Sequence, residues 1–210
     1  MSDVLLFDYC RSSASYRVRI ALNLAQISYQ SVSVDLLNHD QKSATHLARN
    51  PQGLVPVLDI DGHRLSQSLA IIDYLDQTRG LGLLPLDPVQ RAKVSGLAQT
   101  LAMDVHPICN LPVVRYAAGI AGDETIKGDW MQRFIGPGLT AFEALLDTFK
   151  QDPFCSGSKP GLADIFLIPQ LYNASRWNVS FADCPKICAI AAHCAALPAF
   201  GDAHPDRVKP

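Results

Sequence analysis

The stretch YCRSSASYRVRIAL, residues 9–22, sets three hydroxyls, Ser12, Ser13 and Ser15, between Arg11 and the pair Arg17 and Arg19. A helical period begins within it. A helix start exposes unpaired amides and about half a positive charge. Serine hydroxyls add rotatable donors there without bulk, and Arg11 and Arg17 add full charge nearby. Such a cluster favours an anion, and a thiolate qualifies: a thiol with a pKa near ~8.5 falls by a unit or more in such a setting. The same residues also spell a well-capped helix with serine at the N-cap. On these residues alone both readings stay open.

A second hydroxyl-bearing helix start follows at Gln67-Ser68. Ser68 either caps that helix or joins its amides in holding a carboxylate. Two such starts in one small domain suit a small ligand carrying several charges. Between them Val55-Pro56 leads from a loop into a strand. Only about 5–6% of X–Pro bonds are cis, so sequence does not choose the isomer here.

These residues need elements to position them. Residues 4–9 are apolar and short, as in a buried strand. Val18, Ala21, Leu22 and Ala25 fall at i, i+3, i+4 and i+7, an amphipathic helical stripe. Val32, Val34 and Leu36 alternate with polar residues, which predicts a second strand, parallel to the first through a right-handed crossover. Residues 57–60 and 63–66 read as two strands joined at Asp61-Gly62, a hairpin signal. A helical period resumes over 68–79. GLGLLPLDP, residues 80–88, has the composition of a linker.

Beyond it the pattern is helical, at about 88–118, 124–150, 162–176 and 186–196, with Pro107 expected to kink or break the first. The polar, proline-bearing tail from Gly201 is expected to be loosely held. The organisation expected is an α/β domain over 1–80, a linker over 81–88 and an all-helical domain over 89–210.

Composition narrows the classes. With 48% hydrophobic and 18% charged residues and a net charge of −2, the chain reads as soluble and globular, without a nucleic-acid or membrane footprint. No apolar run has membrane-spanning length, and VLLFDY is too short for a signal peptide's apolar region. The six cysteines show neither zinc-ligand nor dithiol spacing, so free thiols in a reducing cytoplasm are expected and no metal is.

SSASYRVRIAL, NPQGLVPVL, QSLAIIDYL and LADIFLIPQLYNASRW, in this order, resemble the zeta-class glutathione transferases over residues 4 to 200. The resemblance implies a thioredoxin-like N-terminal domain with Pro56 in cis, an all-α C-terminal domain, a homodimer, and glutathione as cofactor. Its implied activity is isomerisation of a maleyl diketo acid, maleylacetoacetate to fumarylacetoacetate, by thiolate addition, bond rotation and elimination. Ser12 and Ser13, with Ser15 beside them, would face the glutathione sulfur. Gln67 and Ser68 would hold the γ-glutamyl end, and the backbone of Val55 would pair with the cysteinyl portion. Gln41 and His106 match weaker positions near glutathione, with Asn110 a turn further along the same helix. Arg11 and Arg176 match arginines that face the substrate carboxylates.

The pattern departs from the family's at three places. Ala14 stands where cysteine is usual. Leu111-Pro112 stands where a third arginine falls, with Arg115 one helical turn away. Gly161, three residues before Asp164, stands where threonine caps a helix, and a small loss of stability is expected. Other readings remain: a maleylpyruvate isomerase or general glutathione transferase, thiol transfer by Cys10 in its C-x-x-S setting, or a non-catalytic binding module on the same fold.

Overall fold

A computed structural model of the chain describes residues 4–208. They form two compact units, one of residues 4–82 with 196–208, the other of residues 83–195.

In the first unit, β1 (Leu5–Asp8), α1 (Ser13–Leu24) and β2 (Gln30–Ser33) form the expected strand–helix–strand run, with the strands parallel and Leu5 opposite Gln30. β2 begins two residues before the alternation over Val32–Leu36 indicates. A 3-10 turn at Asp40–Lys42 and the short α2 (Ala44–Leu47) follow, neither anticipated from sequence. β3 (Val57–Ile60) and β4 (His63–Ser66) form the hairpin, and Asp61 and Gly62 take φ of 53° and 77°, both left-handed as a tight hairpin turn requires. α3 (Ser68–Arg79) ends at Gly80, whose φ of 64° suits a glycine C-cap. The sheet order is β2-β1-β3-β4, with β3 antiparallel to both neighbours. Pro56 is cis, as the resemblance implies.

The second unit is helical: α4 (Pro88–Gln99), a π-helical segment (Thr100–Val105), α5 (Leu111–Ala121), α6 (Ile126–Leu145), α7 (Leu162–Arg176) and α8 (Pro185–Ala195). The helix expected over 88–118 is therefore two. After α4 the ladder widens, the chain turns at 106–110 around Pro107, and α5 starts afresh. α6 approaches the π-helical segment so closely that a Cβ on Gly138 would lie 2.4 Å from Val105 Cγ2. Glycine is the residue that permits this contact.

The last helix, α9 (Pro198–Gly201), belongs to the first unit and corrects two expectations. The tail is not loose: Phe200 and Ala203 are buried, and it packs on α1. Nor is α1 amphipathic in place, since every residue from Ser15 to Leu22 is buried. α3 covers part of it, and α9 covers another part.

Arg19 shows why that covering holds. Its guanidinium is fully buried, and a buried charge requires acceptors for its donors. Nη1 meets Asp8 Oδ2 at 2.6 Å, Nη2 donates to the Cys10 carbonyl at 2.9 Å, and Nε donates to the Ala203 carbonyl at 3.0 Å. Asp8 Oδ1 in turn accepts from Ser31 Oγ at 2.8 Å. Asn23 Nδ2 adds a bond to the Ala199 carbonyl at 3.0 Å. Removing one partner of such a pair strands the other in the core. Arg19→Ala is expected to cost about 3–5 kcal/mol, against less than about 1 kcal/mol for the exposed Arg64→Ala, whose partner is Asp59. Urea unfolding followed by circular dichroism measures both.

Candidate functional site

Strand register places the candidate residues of the first unit. Phe7 lies opposite Val57, and Val57 opposite Ser66, so the end of β1, the start of β3 and the end of β4 share one edge of the sheet. The chain leaves that edge into Ser12, enters it from Val55, and leaves it again into Gln67 and Ser68. Residues far apart in sequence are thereby gathered at one end of a rigid sheet.

At the first exit Ser12 is the N-cap of α1. Its backbone is extended, with φ −70° and ψ 119°, and its Oγ accepts from the Ser15 amide at 3.2 Å. The Tyr16 amide makes the first helical bond, to the Ser12 carbonyl at 2.9 Å, so the amides of residues 13 and 14 lie ahead of the ladder. Since its oxygen accepts from the Ser15 amide, the half-buried Ser12 hydroxyl keeps its own hydrogen for an outside acceptor. Cap and anion donor are thus one residue in two roles. Ser13 is buried, and the fully buried Ser15 Oγ has no partner among the described residues.

The entry at Val55 is held from behind. His46 Nε2 and Asn50 Nδ2 both meet the Leu54 carbonyl, at 3.0 and 2.9 Å. Val55 packs its side chain on Phe7, Val34 and Val57. Among the described residues no backbone group bonds the Val55 amide or carbonyl, which leaves an extended edge for a peptide. Gly53, at φ +63°, lets the Asp40–Lys42 turn close in: a Cβ there would sit 2.9 Å from the Gln41 carbonyl. Gln41 Oε1 is buried without a hydrogen-bond partner among the described residues. Gln52 joins this group, its Oε1 accepting from Gln67 Nε2 at 2.9 Å.

Gln67 itself has φ 69° and ψ 114°, a region where side chains are strained and which is found mostly where function requires it. Ser68, buried, opens α3, and Arg17 Nη1 donates to its Oγ at 3.4 Å. Burial alone pulls the Arg17 guanidinium down to about 9, still protonated at neutral pH. The sequence pattern put Arg17 beside the first helix start; the structure brings it to the second.

Of the remaining candidates, Arg11, next to Ser12, is exposed on the first unit. On the second, His106 is half-buried at the end of the π-helical segment and Arg176 is exposed in the last turn of α7. Asn110 does not continue the helix of His106, as expected from sequence, but is the N-cap residue of α5, without a side-chain cap bond. Arg115 is half-buried in the second turn of α5. Arg11, Arg115 and Arg176 make no ion pair among the described residues.

The substituted cap at Gly161 works from its acidic half. Asp164, fully buried, accepts from the Gly161 amide at 2.8 Å and from the Cys155 amide at 3.0 Å. A Cβ on Gly161 would stand 3.1 Å from the Leu83 carbonyl, which accepts from the Leu162 amide at 2.9 Å. Glycine thus loses a hydroxyl cap and gains a close strand-like contact.

Comparison with known proteins agrees with this arrangement. Residues 6–82 match the N-terminal domain of glutathione S-transferases and residues 128–196 their C-terminal domain. The chain is 57% identical to a maleylacetoacetate isomerase of Rhizobium meliloti (strain 1021), over 100% of this chain and 99% of that one. It is 42% identical to a maleylacetoacetate isomerase of Pseudomonas aeruginosa, over 95% of each. Among solved structures, the holo form of a maleyl pyruvate isomerase, a bacterial zeta-class glutathione transferase, superposes with a TM-score of 0.92 at 37% identity, covering 98% of both chains. A maleylacetoacetate isomerase of Methylobacterium extorquens AM1, with bound malonate and glutathione, gives 0.92 at 38% identity and the same coverage. The chain belongs to the glutathione transferase family, in the zeta-class branch that includes the maleylacetoacetate isomerases.

Sequence reading missed Gln52 and Arg19. Gln52 sits inside NPQG, a motif already singled out, but only the pairing with Gln67 shows its use. Arg19 carries no signal of burial, since two alternate arginines on a helix ordinarily read as solvated.

Burial also sorts the thiols. Desolvation pushes Cys109 up to about 11 and raises Cys155, Cys184 and Cys194, all four buried. Cys10 and Cys188 are half-buried. Titration of the native protein with an aromatic disulfide at neutral pH is expected to show two fast thiols, Cys10 and Cys188, with the other four reacting only on denaturation.

Proposed function

We propose that this chain is a glutathione-dependent cis–trans isomerase of a maleyl diketo acid, with maleylacetoacetate as first candidate, acting as a cytoplasmic homodimer. The observation that carries this is the start of α1: a capping serine whose hydroxyl hydrogen remains available beside amides ahead of the helical ladder. The relatives named maleylacetoacetate isomerase, at 57% and 42% identity, support the choice of reaction. Six free thiols suit a reducing compartment.

Glutathione fits the residues present. The orphaned Ser15 Oγ and Gln41 Oε1 are buried polar atoms at this edge that a polar ligand or its water would satisfy. Bound there, glutathione supplies a thiolate that adds reversibly to the activated double bond, so that the bond can rotate. The protein's part is to ionise and orient. Ser12 donates to the sulfur, with Ser13 and Ser15 behind it and the helix start adding positive potential. Val55, just before cis Pro56, offers its backbone to the cysteinyl portion. Gln67 and Ser68 hold the γ-glutamyl end, and Gln41 is assigned near glutathione. His106 and Asn110 are assigned near glutathione from the family pattern.

Arg11 and Arg176 are assigned to the substrate carboxylates, with Arg115 standing in for the arginine absent at Leu111-Pro112. A planar guanidinium grips a carboxylate with two parallel bonds and counters the charge that develops as the alkene is attacked. A maleylpyruvate substrate is the second reading, supported by the zeta-class structure with a TM-score of 0.92.

A spectrophotometric assay of both cis substrates, with and without glutathione, tests this. Trans product is expected only with glutathione present, and glutathione is recovered unconsumed. Ser12→Ala is expected to lower turnover up to about 10-fold at neutral pH, the thiolate fraction lost when the bound thiol's pKa rises by about one unit. Stoichiometric conjugation without trans product would contradict isomerisation. Activity abolished by Cys10→Ser but untouched by Ser12→Ala and Ser13→Ala would point to thiol transfer. Absence of turnover with any electrophile would favour a binding module.

A further inference from the structure

We propose that Arg17 is a positioning residue for the γ-glutamyl carboxylate: its buried guanidinium holds the Ser68 oxygen so that the hydroxyl hydrogen points out to the ligand. This assignment rests on the glutathione reading of the site.

Donor chemistry fixes the direction of the Arg17–Ser68 contact. A guanidinium has five N–H donors and no acceptor, so in the 3.4 Å contact between Arg17 Nη1 and Ser68 Oγ the serine oxygen accepts. The hydroxyl hydrogen must then be given to another group. Accepting from a cation also polarises a hydroxyl and makes it a stronger donor. Ser68 is the first residue of α3, a helix of 12 residues, whose leading amides lie outside the helical ladder on the same side. Gln67, with its strained φ of 69°, fixes the direction of entry and is tied to Gln52. Hydroxyl and helix start are thereby set to receive one carboxylate.

Burial adds to the effect. Arg17 is 2% exposed, so its charge acts through protein rather than water and is weakly screened. A lysine or arginine on the surface would supply similar charge at greater conformational cost on binding. Arg17 is instead anchored in the buried part of α1, four residues after Ser13, the first helical hydroxyl. One helix would then serve two parts of the tripeptide: its start faces the cysteinyl sulfur, and its second turn supports the residue that meets the γ-glutamyl carboxylate.

Calorimetry with two peptides tests the assignment. One is glutathione; the other is 4-aminobutanoyl-cysteinylglycine, which lacks the γ-glutamyl carboxylate and keeps everything else. Arg17→Met is expected to raise the Kd for glutathione about tenfold and leave the Kd for the analogue within about twofold. Arg17→Lys, which keeps a donor, is expected to recover part of the glutathione affinity. Ser68→Ala should repeat the selective loss, and in that background Arg17→Lys should add none; this pair decides the matter should Arg17→Met fail to fold by circular dichroism. An equal loss for both peptides, an unchanged glutathione Kd in Arg17→Met, or a further loss on adding Arg17→Lys to Ser68→Ala would overturn the assignment of Arg17 alone. Failure of the unmutated protein to bind glutathione would overturn the reading of the site, and this inference with it.

Discussion

A guanidinium shut away from water has to find acceptors, and those of Arg19 lie on two stretches far apart in sequence. Asp8 ends β1, Cys10 begins the turn after it, and Ala203 belongs to the tail. Satisfying one side chain therefore fixes how β1 passes into α1 and what covers α1. The turn held through the Cys10 carbonyl is the one that delivers Ser12 to its cap position. Packing alone would tolerate small shifts of that turn; a set of directed bonds in the core does not.

The same economy governs the other two corners of the sheet edge. Leu54 is held by two side chains through its carbonyl, Gly53 allows the Asp40–Lys42 turn to approach, and Gln67 accepts an unfavourable backbone. Each spends local stability on geometry that a stable fold by itself does not need. On the second unit the π-helical segment is a comparable irregularity. It widens the ladder before Pro107, and Gly138 and Val105 meet there without a Cβ between them. Such segments recur at functional sites.

Regular elements were legible where pattern and punctuation agree. The hairpin over 57–66, the helix over 68–79 and the helix over 162–176 stand where alternation, Asp61-Gly62 and the helical period put them. What failed depended on contacts distant in sequence. α1 shows an amphipathic stripe in isolation, yet is buried because a segment nearly two hundred residues later covers it. The tail reads as loose because its burial rests on few residues, Phe200 and Ala203 chief among them, and on backbone carbonyls that no composition reveals. The break near Pro107 was visible, but the π-helical segment before it has no residue signature.

Of the site, the residue types were legible and their partners were not. Ser12, Val55, Gln67 and Ser68 come to one sheet edge through strand register, which links Phe7, Val57 and Ser66. Arg17 was read with the wrong helix start, since sequence proximity to Ser15 says nothing of where a long side chain ends. Asn110 was read into a continuing helix that in fact restarts.

The central physical claim is that the start of α1 keeps a bound sulfur ionised. Ultraviolet titration of the thiolate band of glutathione on the protein measures this directly. The bound thiol is predicted to ionise about one pKa unit or more below the free peptide, and to move back toward it in Ser12→Ala. An unshifted titration in the unmutated protein, at saturating occupancy, would contradict the claim.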